Sequence, residues 1–590
     1  MSVLKIIKKS HFLIFIIFLV SLATRTIYLK SIPISLHPDE KIYAANAQSL
    51  INSGSDLKGS WQFWKLKPLT SMHAELPTVI MAIGFLFTRD ISLAPKIISV
   101  IFSLTLPFIL AGINQALFKK KNIFLLTFIV ASFNPWVWQF GRMGFDALYG
   151  LWFYFLAILI ILKAKSFRKL FSLPFIFLGF FQYQGLKIIL APVFLLLIAH
   201  QLILDFKNKN KFKKNLLVYG IVGIFITALF GYYFLVKLPV QQAGNRVTNG
   251  SIFSSEYLNS LGNVSNLERR RSLPSTLNKV ASNKIAILVK NQLHQFFKIF
   301  NPINLFINND AAFSEYSVWS KGLFYLGDLL IVLAFILIKN KPQTKDRVSF
   351  LLLGSLFFVG SLPAFINITN NWFTHRASFS FMIMTLFVSY FATFIFNHNK
   401  KLFAILAIFY TVGIMGFAYD YFYRYPIYSA NGLYFNEKIL SEYLSRNSNR
   451  QIHIYSNSPE SYFDSYLYYG NNISKENIAE INQGFGEDNI FEYKNVRISN
   501  SQCILLPEDN ELIIRDVDIP FCEKNKLAYF SISSLVDSGE ISKIYGDSLC
   551  IPHTNKMNQY LRVSSLNDFD FSSLTNEEFC SKWITDLSKL

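Results

Sequence analysis

Apolar residues in this chain gather into runs of about twenty, the length an α-helix needs to cross a hydrocarbon core of about 30 Å. The first run covers 11–29. It follows Lys5, Lys8 and Lys9 and lacks a small-residue cleavage pattern, so it reads as an uncleaved first helix. Further runs lie at 93–117, 122–140, 144–162, 170–185, 186–204, 215–236, 321–338, 348–366, 377–396 and 402–420. The pattern therefore predicts an α-helical multi-pass membrane protein of about eleven spans. A shorter apolar segment, 75–88, is expected as a re-entrant or interfacial helix.

The polar stretches between the runs differ in charge. Lys119 to Lys121, Lys163 to Lys169, Lys207 to Lys214, Lys339 to Arg347 and Lys400-Lys401 are rich in Lys and Arg and alternate with weakly charged loops. Cytoplasmic loops carry such an excess. The expected topology thus has a cytoplasmic N-terminus, large outer loops at about 30–92 and 237–320, and an extracytoplasmic C-terminal domain. The second of these loops contains Arg269-Arg270-Arg271 and an apolar stretch near Phe296 to Ile307, read as a segment that lies on the membrane surface. The net charge of +20 divides unevenly: Tyr425 to Leu590 has 14 Lys and Arg against 23 Asp and Glu, and the rest has 43 against 14. Basic residues set between apolar runs orient spans, so no nucleic-acid partner is expected.

Residues 1–424 are accordingly read as the membrane domain and 425–590 as a soluble α/β domain. In the tail, Gln451 to Tyr455 and Cys503 to Leu506 read as strands, and Asn436 to Ser445 and Ser458 to Tyr469 as helices. All four cysteines lie there. Four free thiols in a cytoplasmic domain would be one explanation, disulfides in an oxidising compartment the other. Four cysteines allow three pairings; neighbour pairing, Cys503–Cys522 with Cys550–Cys580, is favoured.

Ionisable residues near apolar runs are costly in lipid and so point to chemistry. Arg25, Asp146, Lys187, Asp328, Arg376 and Asp420 all fall near the expected outer helix ends. The first outer loop opens with His37-Pro38-Asp39-Glu40, an acid pair suited to general-base work or cation binding. The same residues suit a plain helix start, with Asp39 as cap and Glu40 in the first turn. Arg142 and Asp146, four apart in an outer turn, either pair with each other or serve as a phosphate contact and a second acid. Lys187 ends the turn Gln182 to Lys187, and His375-Arg376 follows Asn370 to Thr374.

A first helix followed by an outer loop opening on Asp39-Glu40 resembles the GT-C glycosyltransferases, and especially the family-39-like group of protein O-mannosyltransferases and lipid A aminoarabinose transferases. Leu93 to Ser99, Asn134-Pro135-Trp136 with Arg142 and Asp146, Tyr183 to Lys187, Asn301 to Phe306 and His375-Arg376 carry the same resemblance, in order, over about 1–425. Two departures stand out: Lys96 where relatives often have Arg, and His73-Ala74-Glu75-Leu76-Pro77 where they often have a Pro-Pro pair.

The resemblance implies a polyprenyl-phosphate sugar donor, an extracytoplasmic acceptor (protein, lipid or cell-surface glycan) and an inverting displacement among membrane lipids. On that implication Asp39 is the base, Glu40 supports it and Asp146 orients the acceptor or a metal. Arg142, Lys187, His375 and Arg376 would meet the substrate phosphate. The resemblance fixes no cofactor, and a divalent metal is compatible with the acids. Two other readings stay open: a transporter or lipid-handling protein without covalent chemistry, and a binding protein whose tail does the work.

Overall fold

The computed structural model describes the chain except for residues 1, 61–62, 67, 70–72, 207–208, 238–250, 309–316, 319, 339–345, 368–373, 487, 505–510, 524–526, 558–560, 562 and 587–590. The first helix, α1 (Ser2–Thr26), leads into α2 (Pro38–Ser53) and α3 (Pro77–Phe87). Helices α4 (Ala94–Phe118), α5 (Ile123–Ser132), α6 (Pro135–Phe140) and α7 (Asp146–Lys163) follow. Then come α8 (Ser172–Phe180), α9 (Gln184–Asp205) and α10 (Lys209–Gly231).

Among the described residues seven helices are long and apolar enough to cross a membrane: 94–118, 146–163, 184–205, 215–236, 347–366, 375–398 and 400–428. Four more apolar helices are shorter: 11–26, 77–87, 123–132 and 326–337. The expected count of about eleven full-length spans is therefore not reproduced. Two runs are cut, 122–140 and 170–185. In 122–140, Asn134 caps a new helix by accepting from the Val137 amide (3.2 Å), with Pro135 in its first turn. In 170–185, only the nine residues of α8 are α-helical before the chain turns at Phe181. Large apolar side chains such as Ile224, Leu235, Leu337, Leu351 and Ile408 point outward from the helices. A surface of that kind suits lipid and not water.

The tail builds a seven-stranded sheet from β1 (Ile452–Tyr455), β2 (Phe491–Tyr493), β3 (Val496–Ser499), β4 (Leu512–Asp516), β5 (Phe530–Ser533), β6 (Glu540–Tyr545) and β7 (Thr585–Asp586). The order is β2-β3-β1-β4-β6-β5-β7. The expected QIHIY strand is β1, parallel to β3 and β4; the other pairings are antiparallel. The two expected helices form as Phe435–Arg446 and Pro459–Tyr469. The strand expected at Cys503 to Leu506 is reduced to an isolated bridge at Ile504, and 505–506 lie outside the described residues. Cys503–Cys522 and Cys550–Cys580 are disulfides.

Packing does not break at residue 425. One apolar core holds Ile34, Leu36, Tyr43 and Ala47, from the segment between α1 and α4, together with Phe435, Tyr443, Phe463, Leu467 and the inner face of the sheet. Polar contacts tie the same parts. Lys41 pairs with Glu437, and Asn52 donates to the Ile473 carbonyl (2.8 Å). The Tyr469 hydroxyl meets both Ser35 Oγ (2.8 Å) and the Leu36 amide (2.9 Å). Helix α2 is thereby held from behind by the tail.

Candidate active site

The chain enters α2 through a cap that places both acids. His37 Nδ1 accepts from the Asp39 amide (3.2 Å), and Glu40 Oε2 accepts from the His37 amide (3.3 Å). Pro38 occupies the first turn, where a missing N–H costs nothing. Burial holds the His37 imidazole below its usual pKa, so its Nδ1 stays an acceptor. The helix-start reading of this sequence is thus correct in geometry, with His37 as the cap in place of Asp39.

Neighbours on a helix point about 100° apart, and the acid pair separates accordingly. Glu40 is buried, and its Oε1 accepts from the Gly144 amide. Burial pushes its carboxyl up to about 7, against the pull of the Gly144 and His37 amides and of the Lys96 charge. A Cβ on Gly144 would lie 2.8 Å from Glu40 Oε1 and 2.9 Å from Met81 Cε, so the approach needs glycine there. Asp39 keeps 48% of its side chain exposed, with Oδ1 3.6 Å from His73 Nε2.

Residues 73–76, just ahead of α3, connect the other candidates. The His73 ring stands edge-on to Tyr43 at 5.0 Å. Tyr43 Oη accepts from the Ala74 amide (2.8 Å) and donates to Asp146 Oδ2 (3.3 Å). Glu75 forms a buried ion pair with Lys187, both carboxylate oxygens at 2.7 Å. The Lys187 ammonium also lies 4.1 Å from the Tyr233 ring centre. Gln184 donates to the His73 carbonyl (2.7 Å) and accepts from Tyr233 (3.1 Å), and the Leu76 amide donates to the Phe181 carbonyl (3.0 Å). His375 is buried against Phe145 (5.3 Å) and Tyr183 (5.6 Å), while His37 touches the same Phe145 ring at 5.5 Å. Arg376 is half-buried beside it, and Asn370 to Phe373 lie outside the described residues.

Asp39, Asp146 and Lys187 are therefore gathered around 73–76, and Glu40 and His375 border the same turn at 144–145. Arg142 is not part of that group. Its guanidinium is fully buried and donates to the carbonyls of Thr24 (2.9 Å), Ile27 (2.8 Å) and Ile32 (3.1 Å), clamping the chain that leaves α1. Tyr421 and Phe422 cover it at 5.3 Å. Lys187 likewise meets a carboxylate where a phosphate contact was expected. His73 and Glu75 stood out in the sequence only as part of a departure from the family pattern, and not as site residues. The visible signal was their position just ahead of Leu76-Pro77, the start of an apolar helix. Asp39 and His73 supply two donors of the kind a divalent ion takes; among the described residues no group of three such side chains occurs.

No protein-family model and no curated protein matches the chain. Two solved structures of ArnT from Cupriavidus metallidurans, one apo and one bound to undecaprenyl phosphate, are similar to it. Each covers 92% of this chain and 98% of its own, at 10% identity and a TM-score of 0.39.

Proposed function

We propose that this chain is a membrane glycosyltransferase that moves a sugar from a polyprenyl-phosphate carrier to an extracytoplasmic acceptor. The observation that carries the reading is the division of the acid pair. Glu40 is a buried anchor between α2 and the 141–145 turn, and Asp39 stays accessible beside His73.

In this reaction an acceptor hydroxyl attacks the anomeric carbon from the face opposite the carrier. The new C–O bond forms as the bond to the phosphate oxygen breaks, and the polyprenyl phosphate leaves with the bonding pair. Asp39 takes the hydroxyl proton, with His73 orienting the carboxylate. Asp146, held by Tyr43, adds negative charge where oxocarbenium character develops. Arg376 supplies the positive charge and His375 a ring N–H where charge grows on the leaving phosphate. Lys187 joins them only if the phosphate replaces Glu75. Disulfides in the tail and basic loops on the opposite side support an extracytoplasmic site.

The test uses the full chain in nanodiscs with labelled polyprenyl-phosphate sugars and an envelope fraction as acceptor. Release of polyprenyl phosphate together with label on the acceptor is expected. Asp39→Asn should slow it on the order of a hundredfold or more. Full activity of that variant removes the assigned base, and label crossing a membrane without transfer favours a transporter.

A further inference from the structure

Between the spans 215–236 and 347–366 lies a helical arm: Ser255–Arg270, Thr276–Ala281 and Lys284–Ile299. Its parts hold one another. Ser265 Oγ (2.5 Å) and Arg269 Nε (3.0 Å) both donate to the Ser282 carbonyl, and Asn291 donates to Tyr257 (3.2 Å). Its apolar side chains are nevertheless left outside. Ile285, Val289, Leu293 and Phe297 recur every fourth residue, one stripe of a helix, and are 72, 51, 52 and 67% exposed. Leu273, Leu277 and Val280 are exposed as well.

Two observations identify what covers this surface. The first is continuity with the lipid-facing side of a spanning helix. Phe296 stacks on Phe358 (6.1 Å) and Phe365 (5.3 Å), and Phe358 and Leu351 of that helix are themselves exposed. The second is charge. Residues 254–300 carry seven Lys and Arg against two Glu, whereas 30–92 carry six against five. With a cytoplasmic N-terminus both loops are outer loops, and outer loops are ordinarily poor in Lys and Arg. A loop as long as 237–320 translocates largely regardless of its charge, so the arm's excess plays no part in orienting the spans and fits a local anionic partner. An amphipathic helix with apolar residues on one side and basic residues on the other lies in the plane of a bilayer interface.

We infer that the arm 255–299 docks flat on an anionic phospholipid surface, with Leu277, Ile285, Val289 and Leu293 in the acyl boundary and its Lys and Arg among the headgroups. A basic residue near an anionic surface contributes about a fivefold gain in docking. Arg270 and Arg271 together are then worth roughly 25-fold.

The native cysteines are disulfide-bonded, so the full chain accepts a single dye at Leu277→Cys or Ile285→Cys, with Val536→Cys in the tail as control. Each variant is placed in nanodiscs of phosphatidylcholine alone or with phosphatidylglycerol, with quenchers on the lipid chains. Strong quenching at 277 and 285 but not at 536 is expected, weakened without phosphatidylglycerol and by changing Arg270 and Arg271 to Gln. Size-exclusion profiles check that each variant stays folded. Quenching at the control level, or quenching indifferent to the anionic lipid, overturns the inference.

Discussion

The Lys41 ammonium, one residue after the acid pair, is buried against the carboxylate of Glu437 in the tail, 396 positions later. Ser465 Oγ (2.5 Å) and the Ser461 carbonyl (3.1 Å) complete its shell. Removing one partner of such a pair leaves a lone buried charge and costs about 3–5 kcal/mol. Lys41→Met or Glu437→Leu should therefore lower the melting temperature sharply, and the double variant should recover most of the loss. Amide exchange in α2 should rise in the single variants, because the tail no longer holds that helix from behind.

Two buried carboxyls make stability depend on pH. Burial pushes both Glu40 and Asp464 up to about 7. When a folded pKa lies above the unfolded one, the native state binds more protons between the two values, so stability falls as pH rises. The contribution of these groups is complete below about pH 4 and is lost by about pH 7. Thermal unfolding in detergent should show a higher melting temperature near pH 5 than near pH 8, with a smaller difference in Glu40→Gln and Asp464→Asn.

Gly144→Ala is expected to disturb the site without adding or removing charge. Its Cβ would lie 2.8 Å from Glu40 Oε1, 2.9 Å from Met81 Cε and 3.1 Å from the Pro95 carbonyl. Overpacking of this kind costs about 1–3 kcal/mol. The measurement is paired: a modest drop in melting temperature, with a larger loss of sugar transfer as Glu40 and the first turn of α2 shift. An unchanged transfer rate would separate the Glu40 contact from the positioning of Asp39.

What the sequence made legible follows from the range of each interaction. Apolar runs are local, and helices formed over each of them, although 122–140 and 170–185 are interrupted. The first break was announced by Asn134-Pro135. The second depends on Phe181 meeting Leu76, more than a hundred residues away, which no periodicity can report. The acid pair was visible, but not which acid would be buried: that is decided by Gly144 approaching Glu40. Arg142 was read, from its place in an outer turn, as a partner of Asp146 or a phosphate contact; the carbonyls that occupy it are those of Thr24 in the last turn of α1 and of Ile27 and Ile32 just beyond it. Glu75 was passed over because its meaning lies in Lys187, 112 positions on.

That last pair gives a test of whether Lys187 serves the substrate or the scaffold. Both side chains are almost fully buried, and Glu75 holds the ammonium with both oxygens at 2.7 Å. If the pair only fastens the 73–76 segment to α9, Glu75→Gln and Lys187→Gln should each destabilise the fold by about 3–5 kcal/mol, with a strongly non-additive double variant. Polyprenyl-phosphate affinity measured on the folded fraction would then be unchanged. If the incoming phosphate displaces Glu75, the two variants should part company. Lys187→Gln should weaken binding of polyprenyl phosphate, and Glu75→Gln should tighten it by releasing the ammonium. Titration of the lipid phosphate into nanodisc-held variants, read beside their melting temperatures, separates these outcomes: opposite shifts in affinity give Lys187 a substrate contact, and equal losses of stability with constant affinity give it a structural one.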